Sequence, residues 1–233
     1  AHSHGVKVYV TANIYAHNDD FNGMAEYFKK IYSIGADALL VSDLGVFSVA
    51  KEAVPDMEIH ISTQANNTNY MSAKMWYSLG ARRIVSAREL SLNEIKDIRE
   101  NIPSDMDIEA FVHGAMCISY SGRCLLSSYL TGRDANHGEC AHPCRWKYYV
   151  VEETRPGEYM PVVENERGTY IYNSKDLCMI NYIPELVSAG IRSFKIEGRM
   201  KTPFYVGTVV KAYRQAIDDY LSCPDKYNER KQN

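Results

Sequence analysis

No run of about eighteen apolar residues, long enough to cross a bilayer, occurs in this chain, so no membrane span is expected. Nor is there a charge excess of note. Lys and Arg number 26 against 29 Asp and Glu, a net charge of -3, so no global basic field announces nucleic acid. Net charge says nothing about a local basic patch. Nothing at the start reads as a charged-then-apolar secretory leader, and a cytoplasmic setting is expected. Cysteine is sparse for a disulfide scaffold, six residues in 233. Signatures that fix one chemistry are missing as well: HExxH, a Walker phosphate loop, GxGxxG and the GxSxG elbow. What remains is 45% hydrophobic and 24% charged, an ordinary globular composition with room for one large domain or two small ones.

A repeating unit runs along the chain. Phe21, Met24, Ala25, Phe28, Ile31 and Tyr32 recur at spacings of three and four, which puts them on one helix face. Gly35 is expected to stop that helix as a left-handed cap, and the strand ADALLVSD follows. The pattern returns as a helix through Met75, Trp76 and Leu79, then Gly80, then RRIVSARE. It returns again as PELVSAG, with Gly190, then IRSFKIEG. Further strands are VKVYVTANI, MEIHISTQAN and MDIEAFVHGA. A capping box, Ser91 with Glu94, opens a helix carrying Leu92, Ile95 and Ile98. Strands alternating with helices imply an α/β fold with a parallel sheet. Polar residues gather at the strand ends: Asn13, Asp43, Gln64, Asn66, Arg88, Glu89, His113, Lys195 and Glu197. That is where a (β/α) TIM barrel keeps its site. About six of the eight βα units are legible. The opening AHSHG reads as the last turn of a helix, so two units are expected upstream of Ala1; a complete six-stranded open sheet is the alternative.

The rhythm breaks between Ile118 and Tyr172, a Gly- and Cys-rich stretch that ends in an expected hairpin. The expected division is 1–117 partial barrel, 118–172 insertion, 173–222 last βα part and 223–233 polar tail. Cysteines stand as Cys117-x6-Cys124-x15-Cys140-x3-Cys144, then Cys178, with Cys223 apart in the tail. Converging thiolates suit an iron–sulfur cluster or zinc, although the spacing matches neither a zinc ribbon nor a ferredoxin run. Buried free cysteines are the plainer alternative. Arg88, Arg123, Arg133, Arg145, Lys175, Lys195 and Arg199 fall at strand ends or in the insertion, and arginine forks match carboxylates and phosphates. Tyr120, Tyr129, Tyr148 and Tyr172 lie near basic residues, a pairing that can stack the bases of an RNA loop. His113 is close in sequence to Cys117, Ser119 and Ser121, so a nucleophile with a base can be drawn there.

The stretch EAFVHGAMCISYSGRCLLSSYLTGRDANHGECAHPCRW, with NSKDLC and SFKIEGRMKTPFYV, resembles the collagenase-like peptidase family U32. Its signature elements here are Glu109, Phe111, Gly114, Ala115, Cys117, Gly122, Cys124 and Ser127. STQAN, SARELS and KIEGR match as well. The resemblance covers essentially the whole chain and implies two competing activities. One is proteolysis of undefined catalytic type. The other is that of relatives which hydroxylate without oxygen, on tRNA wobble uridine, ribosomal RNA or ubiquinone precursors, and which bind a 4Fe–4S cluster through four cysteines. GRCLLSSYL, RDANHGECAHPCRW, RPGEYM and NSKDL resemble the tRNA branch, which uses prephenate as hydroxyl donor. Carried over by position, the ligands are Cys117, Cys124, Cys140 and Cys178, with Cys144 as the alternative fourth. Hydroxylation is preferred, because no activated nucleophile or metal-water set for a protease is legible. On this reading Arg123 and Arg145 hold donor carboxylates or RNA phosphates. Gln64, His113, Lys195 and Glu197 line the barrel mouth, with His113 or Glu197 as the acid–base group. Arg88, Lys175 and Arg199 are further substrate contacts. The expected partners are tRNA and prephenate, or a peptide if the chain is a protease. A non-catalytic RNA-binding or partner subunit is a third reading, with a second copy of the chain completing the sheet.

Overall fold

The computed structural model describes residues 1–117, 119–120, 123–146, 148–151, 153–161, 164–165, 168–169, 176–199, 201–224 and 227. In chain order the first elements are β1 (Tyr9–Ala12), α1 (Met24–Ser33), β2 (Ala38–Val41), α2 (Leu44–Ala53), β3 (Glu58–Ile61) and α3 (Tyr70–Ser78). Next come β4 (Arg83–Val85), α4 (Leu92–Asn101), β5 (Asp107–Gly114) and α5 (Leu126–Thr131). Four short strands follow, β6 (Tyr149–Val150), β7 (Met160–Pro161), β8 (Glu164–Asn165) and β9 (Gly168–Thr169). The chain ends with β10 (Leu177–Cys178), α6 (Ile183–Ser188), β11 (Ser193–Ile196) and α7 (Pro203–Ser222). Two compact units form, one from 1–114 with 177–233, the other from 115–176. The second unit begins after Gly114 and ends at Asp176, where the sequence placed its insertion at 118–172.

The first unit is α/β and TIM-barrel-like. β1, β2, β3, β4, β5 and β11 pair in that order, each parallel to its neighbour. These are the six strands expected from the sequence. Among the described residues no ladder joins β1 to β11, so the parallel sheet is open at that seam. One strand was not foreseen: β10 runs antiparallel to the end of β5, with Leu177 opposite Gly114 and Cys178 opposite His113.

Local chemistry accounts for the helices. Asp43, Asn69, Ser91 and Thr202 each accept a backbone N–H at a helix start, and Ser91 with Glu94 completes the expected capping box. The SIGA, SLGA and SAGI segments share one stop. At each, the glycine N–H and that of the next residue donate back to one carbonyl apiece: Gly35 to Tyr32 and Ala36 to Ile31, Gly80 to Tyr77 and Ala81 to Trp76, Gly190 to Val187 and Ile191 to Leu186. That six-to-one with five-to-two pattern is a Schellman motif, and glycine is favoured because φ is positive at all three.

Alternation along the strands sorts the side chains onto two faces. Leu39, Val41, Ile59, Ile61, Ile84, Ile108 and Val112 face the helices and pack with Phe28, Phe47, Ile95, Ile98 and Leu186. Each such aliphatic side chain contributes about 1.5–3 kcal/mol by burial. Some expected core positions sit elsewhere. Tyr32, Met75 and Leu79 are exposed, and α3 buries Ala73 and packs through Trp76 instead. The tail is not wholly polar. Tyr227 is buried, stacks edge-on against Tyr220 and donates its hydroxyl to the Ile180 carbonyl.

The second unit carries α5, a 3-10 turn at Pro143–Arg145 packed on it, and two antiparallel ladders, β6 with β7 and β8 with β9. The expected hairpin is therefore two short ladders.

Candidate functional site: the strand ends and the cysteine unit

The strand face turned away from the helices carries a polar cluster beside the apolar Ala38, Leu40 and Val85, which sequence periodicity alone did not reveal. His60 is buried on β3; its Nε2 lies 2.7 Å from Glu58 Oε1 and its ring meets Tyr9 edge-on at 4.8 Å. Burial lowers its pKa, and the nearby Arg83 adds to that, against the opposing bond to Glu58. Opposite it on β4, Arg83 lies over the same Tyr9 ring at 5.5 Å and bonds Asp107 at 3.1 Å. Arg83 also pairs with Glu109 at 3.5 Å. Glu109 is buried and collects Lys195 Nζ at 2.9 Å and Ser193 Oγ at 2.7 Å. Burial pushes the Glu109 carboxyl up, but Lys195, Ser193 and Arg83 outweigh it and hold it below the usual carboxylate range.

Towards the C-terminal ends of the strands the expected residues converge. The Arg88 guanidinium lies 3.9 Å from the Phe111 ring centroid, and Lys195 reaches the same ring at 5.4 Å. Arg88 Nη2 bonds Glu197 Oε2 at 3.3 Å, and the other Glu197 oxygen accepts the Arg199 backbone N–H at 3.0 Å. Arg199 thus enters through its backbone, and its side chain is exposed. The structure ties Lys195 into an ion pair with Glu109, which had been read only as part of a signature.

His113 owes its position to a bulge. Lys195 pairs with Phe111 but Ile196 pairs with His113, so Val112 is the extra residue on β5. The Val112 carbonyl is satisfied by the Tyr213 hydroxyl at 2.7 Å and the Met179 N–H at 2.9 Å. Bulges re-aim the next side chain. Here His113 Nε2 comes within 3.1 Å of the Tyr205 hydroxyl, with Tyr213 edge-on at 5.5 Å. Both tyrosines stand on α7, and nothing in the sequence tied them to His113. Gly114 closes the strand at φ 105°; a Cβ there would meet the Glu197 carbonyl at 2.6 Å. Asp43 is used as the α2 cap, bonding the Val46 N–H at 3.0 Å. Gln64 accepts the Tyr15 hydroxyl through its backbone carbonyl at 2.7 Å, and Asn13 donates to Ser62 Oγ at 3.0 Å.

The second unit holds Cys117, Cys124, Cys140 and Cys144; Cys178 lies on β10 of the first. All six cysteines are free of disulfides. Two sulfurs already accept backbone N–H groups: Cys124 Sγ from Leu126 at 3.4 Å, and Cys140 Sγ from His142 at 3.3 Å. His142 sits between Cys140 and Cys144 at φ 57°, a left-handed turn that few non-glycine residues adopt. Ser127 is fully buried and its Oγ accepts the Ala141 N–H at 3.0 Å, which fastens α5 to the Cys140 loop. Arg145 donates to the Met116 carbonyl at 3.0 Å and pairs with Asp176 at 3.4 Å, so it braces the segment that carries Cys117. Arg123 is exposed. Lys175, Tyr172, Ser121 and Gly122 lie outside the described residues.

By residue type alone, thiolates would suit a soft metal group. Softness favours iron–sulfur or zinc over hard cations, and amide N–H bonds to sulfur are the contacts that tune a cluster's potential. Among the described residues no grouping of three or more His, Cys, Asp or Glu is drawn into metal geometry.

The model of peptidase family U32 matches residues 1–233. The chain is 41% identical to tRNA hydroxylation protein P of Escherichia coli K12, covering 94% of this chain and 57% of that protein. It is 40% identical to tRNA hydroxylation protein P1 of Bacillus subtilis 168, covering 97% and 53%. It is 46% identical to the uncharacterized protease MJ0090 of Methanocaldococcus jannaschii, covering 95% and 53%. The chain thus spans about half the length of the curated relatives it matches. A match across the whole chain, on a sheet whose strand ends carry Glu109, Phe111, His113 and Glu197 and lead into the cysteine unit, places the chain in peptidase family U32.

Proposed function

We propose that this chain is the barrel and cysteine-bearing part of an RNA hydroxylase that forms 5-hydroxyuridine at the tRNA wobble position without oxygen, with prephenate as the hydroxyl donor. The observation that carries the reading is the 41% identity, over 94% of the chain, to a protein named for tRNA hydroxylation. The free cysteines with N–H groups already aimed at sulfur support it.

Cys117, Cys124, Cys140 and Cys178 would hold a 4Fe–4S cluster, with Cys144 the alternative fourth ligand and zinc the alternative metal. When bound, the cluster supplies the redox and Lewis-acid chemistry that no side chain here can. The chain's own residues bind and orient. Glu197 is held by Arg88 and by the Arg199 N–H, so its carboxylate is fixed as a proton acceptor at the strand ends. His113 is oriented through Nε2 by Tyr205 and can carry a proton there. Lys195 is positioned by Glu109 and, with Arg88, flanks Phe111 as a cationic wall suited to a carboxylate-bearing donor. Arg145, with Arg123, would hold donor carboxylates or RNA phosphates, and it also braces the cysteine segment through the Met116 carbonyl and Asp176.

Iron and acid-labile sulfide, with a UV–visible spectrum, measured on anaerobically purified protein beside a Cys117→Ala, Cys124→Ala variant test the reading. About four irons per chain, lost in the variant, together with missing wobble hydroxylation in a deletion strain, are the expected results. Iron absent from both proteins would overturn the cluster. Gelatin cleavage abolished by a point substitution would replace hydroxylation with the peptidase reading.

A further inference from the structure

α5 has two unlike sides. Its inner side buries Ser127, whose Oγ accepts the Ala141 N–H, and its first residue, Leu126, donates its N–H to the Cys124 sulfur just before the helix. Its outer side carries large side chains in solvent: Tyr129 is 86% exposed and Leu125 73% exposed. The Tyr129 N–H bonds the Leu125 carbonyl at 2.9 Å, so the two lie one turn apart on one face. The turn before the helix, closed by Arg123 N–H to the Tyr120 carbonyl at 3.1 Å, adds an exposed tyrosine and an exposed arginine. Arg133 follows the helix and is exposed as well. Within fourteen residues, from Tyr120 to Arg133, two exposed tyrosines alternate with two exposed arginines.

Tyrosine rings interleaved with arginines join stacking faces to cationic donors on one surface. Unstacked bases joined by phosphates match alternating rings and guanidinium groups, stacking on the former and pairing with the latter. We infer that the outer face of α5, from Tyr120 to Arg133, is a stacking surface for unpaired RNA bases, with Tyr129 as its central ring. This rests on the RNA-hydroxylase reading and names the surface that would hold the loop. Because Cys124 lies just before the helix and Ser127 is buried within it, bases stacked there are held on the cysteine unit itself.

The test is binding of a fluorescently labelled tRNA anticodon stem-loop, with the same stem closed as a duplex for control, to the intact, metal-loaded protein and to Tyr129→Ala and Tyr129→Phe. Loss of one stacked base predicts about tenfold or more weaker binding of the stem-loop by Tyr129→Ala, recovery by Tyr129→Phe, and no change for the duplex. The exposed position leaves folding intact, which the iron content and spectrum of each variant verify. Equal stem-loop affinity for wild type and Tyr129→Ala overturns the surface while leaving the hydroxylase reading in place. If wild-type protein with its metal does not bind the stem-loop at all, and wobble hydroxylation persists in a deletion strain, both fall.

Discussion

At the scale of single residues, the first unit buries charge in matched sets. Removing water from a carboxylate costs several kcal/mol unless partners replace it. Glu109 meets that cost with Lys195, Ser193 and Arg83. His60 is the less compensated case, because burial disfavours its charged form more than Glu58 favours it. The sign of the consequence follows. A histidine whose folded pKa lies below its unfolded value stabilises the fold above the unfolded pKa. That stabilisation is lost as pH falls through about 6.5 and below. Thermal melts of wild type and His60→Gln from about pH 8 to about pH 5 should show the wild type losing more stability than the variant; parallel losses would mean His60 does not titrate with unfolding. Neither His60 nor Arg83 stood out in the sequence, since one charged residue in a short strand reads as its solvent face. The curl of the sheet turned that face inward.

At the scale of elements, the decisive junction is the end of β5. One extra residue, Val112, sets the direction of His113, and the tyrosine hydroxyl of α7 satisfies the bulged carbonyl. Burial pushes the Tyr213 phenol well up, so it stays a neutral donor at any ordinary pH. Tyr213→Phe removes one of the two donors to the Val112 carbonyl and leaves the Met179 N–H in place, a cost of about 0.5–1.5 kcal/mol. Urea denaturation should show that loss as a lower midpoint with unchanged slope. An unchanged midpoint would place the support of the bulge elsewhere. The strands, the capping box at Ser91 and the three glycine stops were legible because each is a short-range pattern. The bulge, β10 and the Tyr205–His113 contact were not, because each joins segments some sixty to one hundred residues apart.

For the molecule as a whole, the two units differ in what holds them. The main apolar core, from Met24 to Tyr227, draws every one of its described members from the first unit. The 115–176 unit has short ladders, a short helix and a chain of polar contacts. Among the described residues none of this unit joins the main core, and units of such a size can be held by staples, of which metal–thiolate bonds are one. Hydrogen exchange before and after chelation should therefore show faster exchange across 115–176 and unchanged protection in β2–β5. Uniform protection in both states would mean the cysteine unit is held by packing alone.

By itself the sequence determined the six parallel strands, the helices between them, the caps and the place of the cysteine-rich break, since propensity, periodicity and turn chemistry act over a few residues. The spacing of the thiols suggested a soft metal without fixing its ligands. Tertiary structure alone decided which strand face is lined by charge, that Lys195 answers to Glu109 and Arg145 to Met116 and Asp176, and that His113 looks toward α7. Those outcomes depend on how the sheet curls and where one extra residue falls in β5, and neither is encoded within the reach of a local pattern.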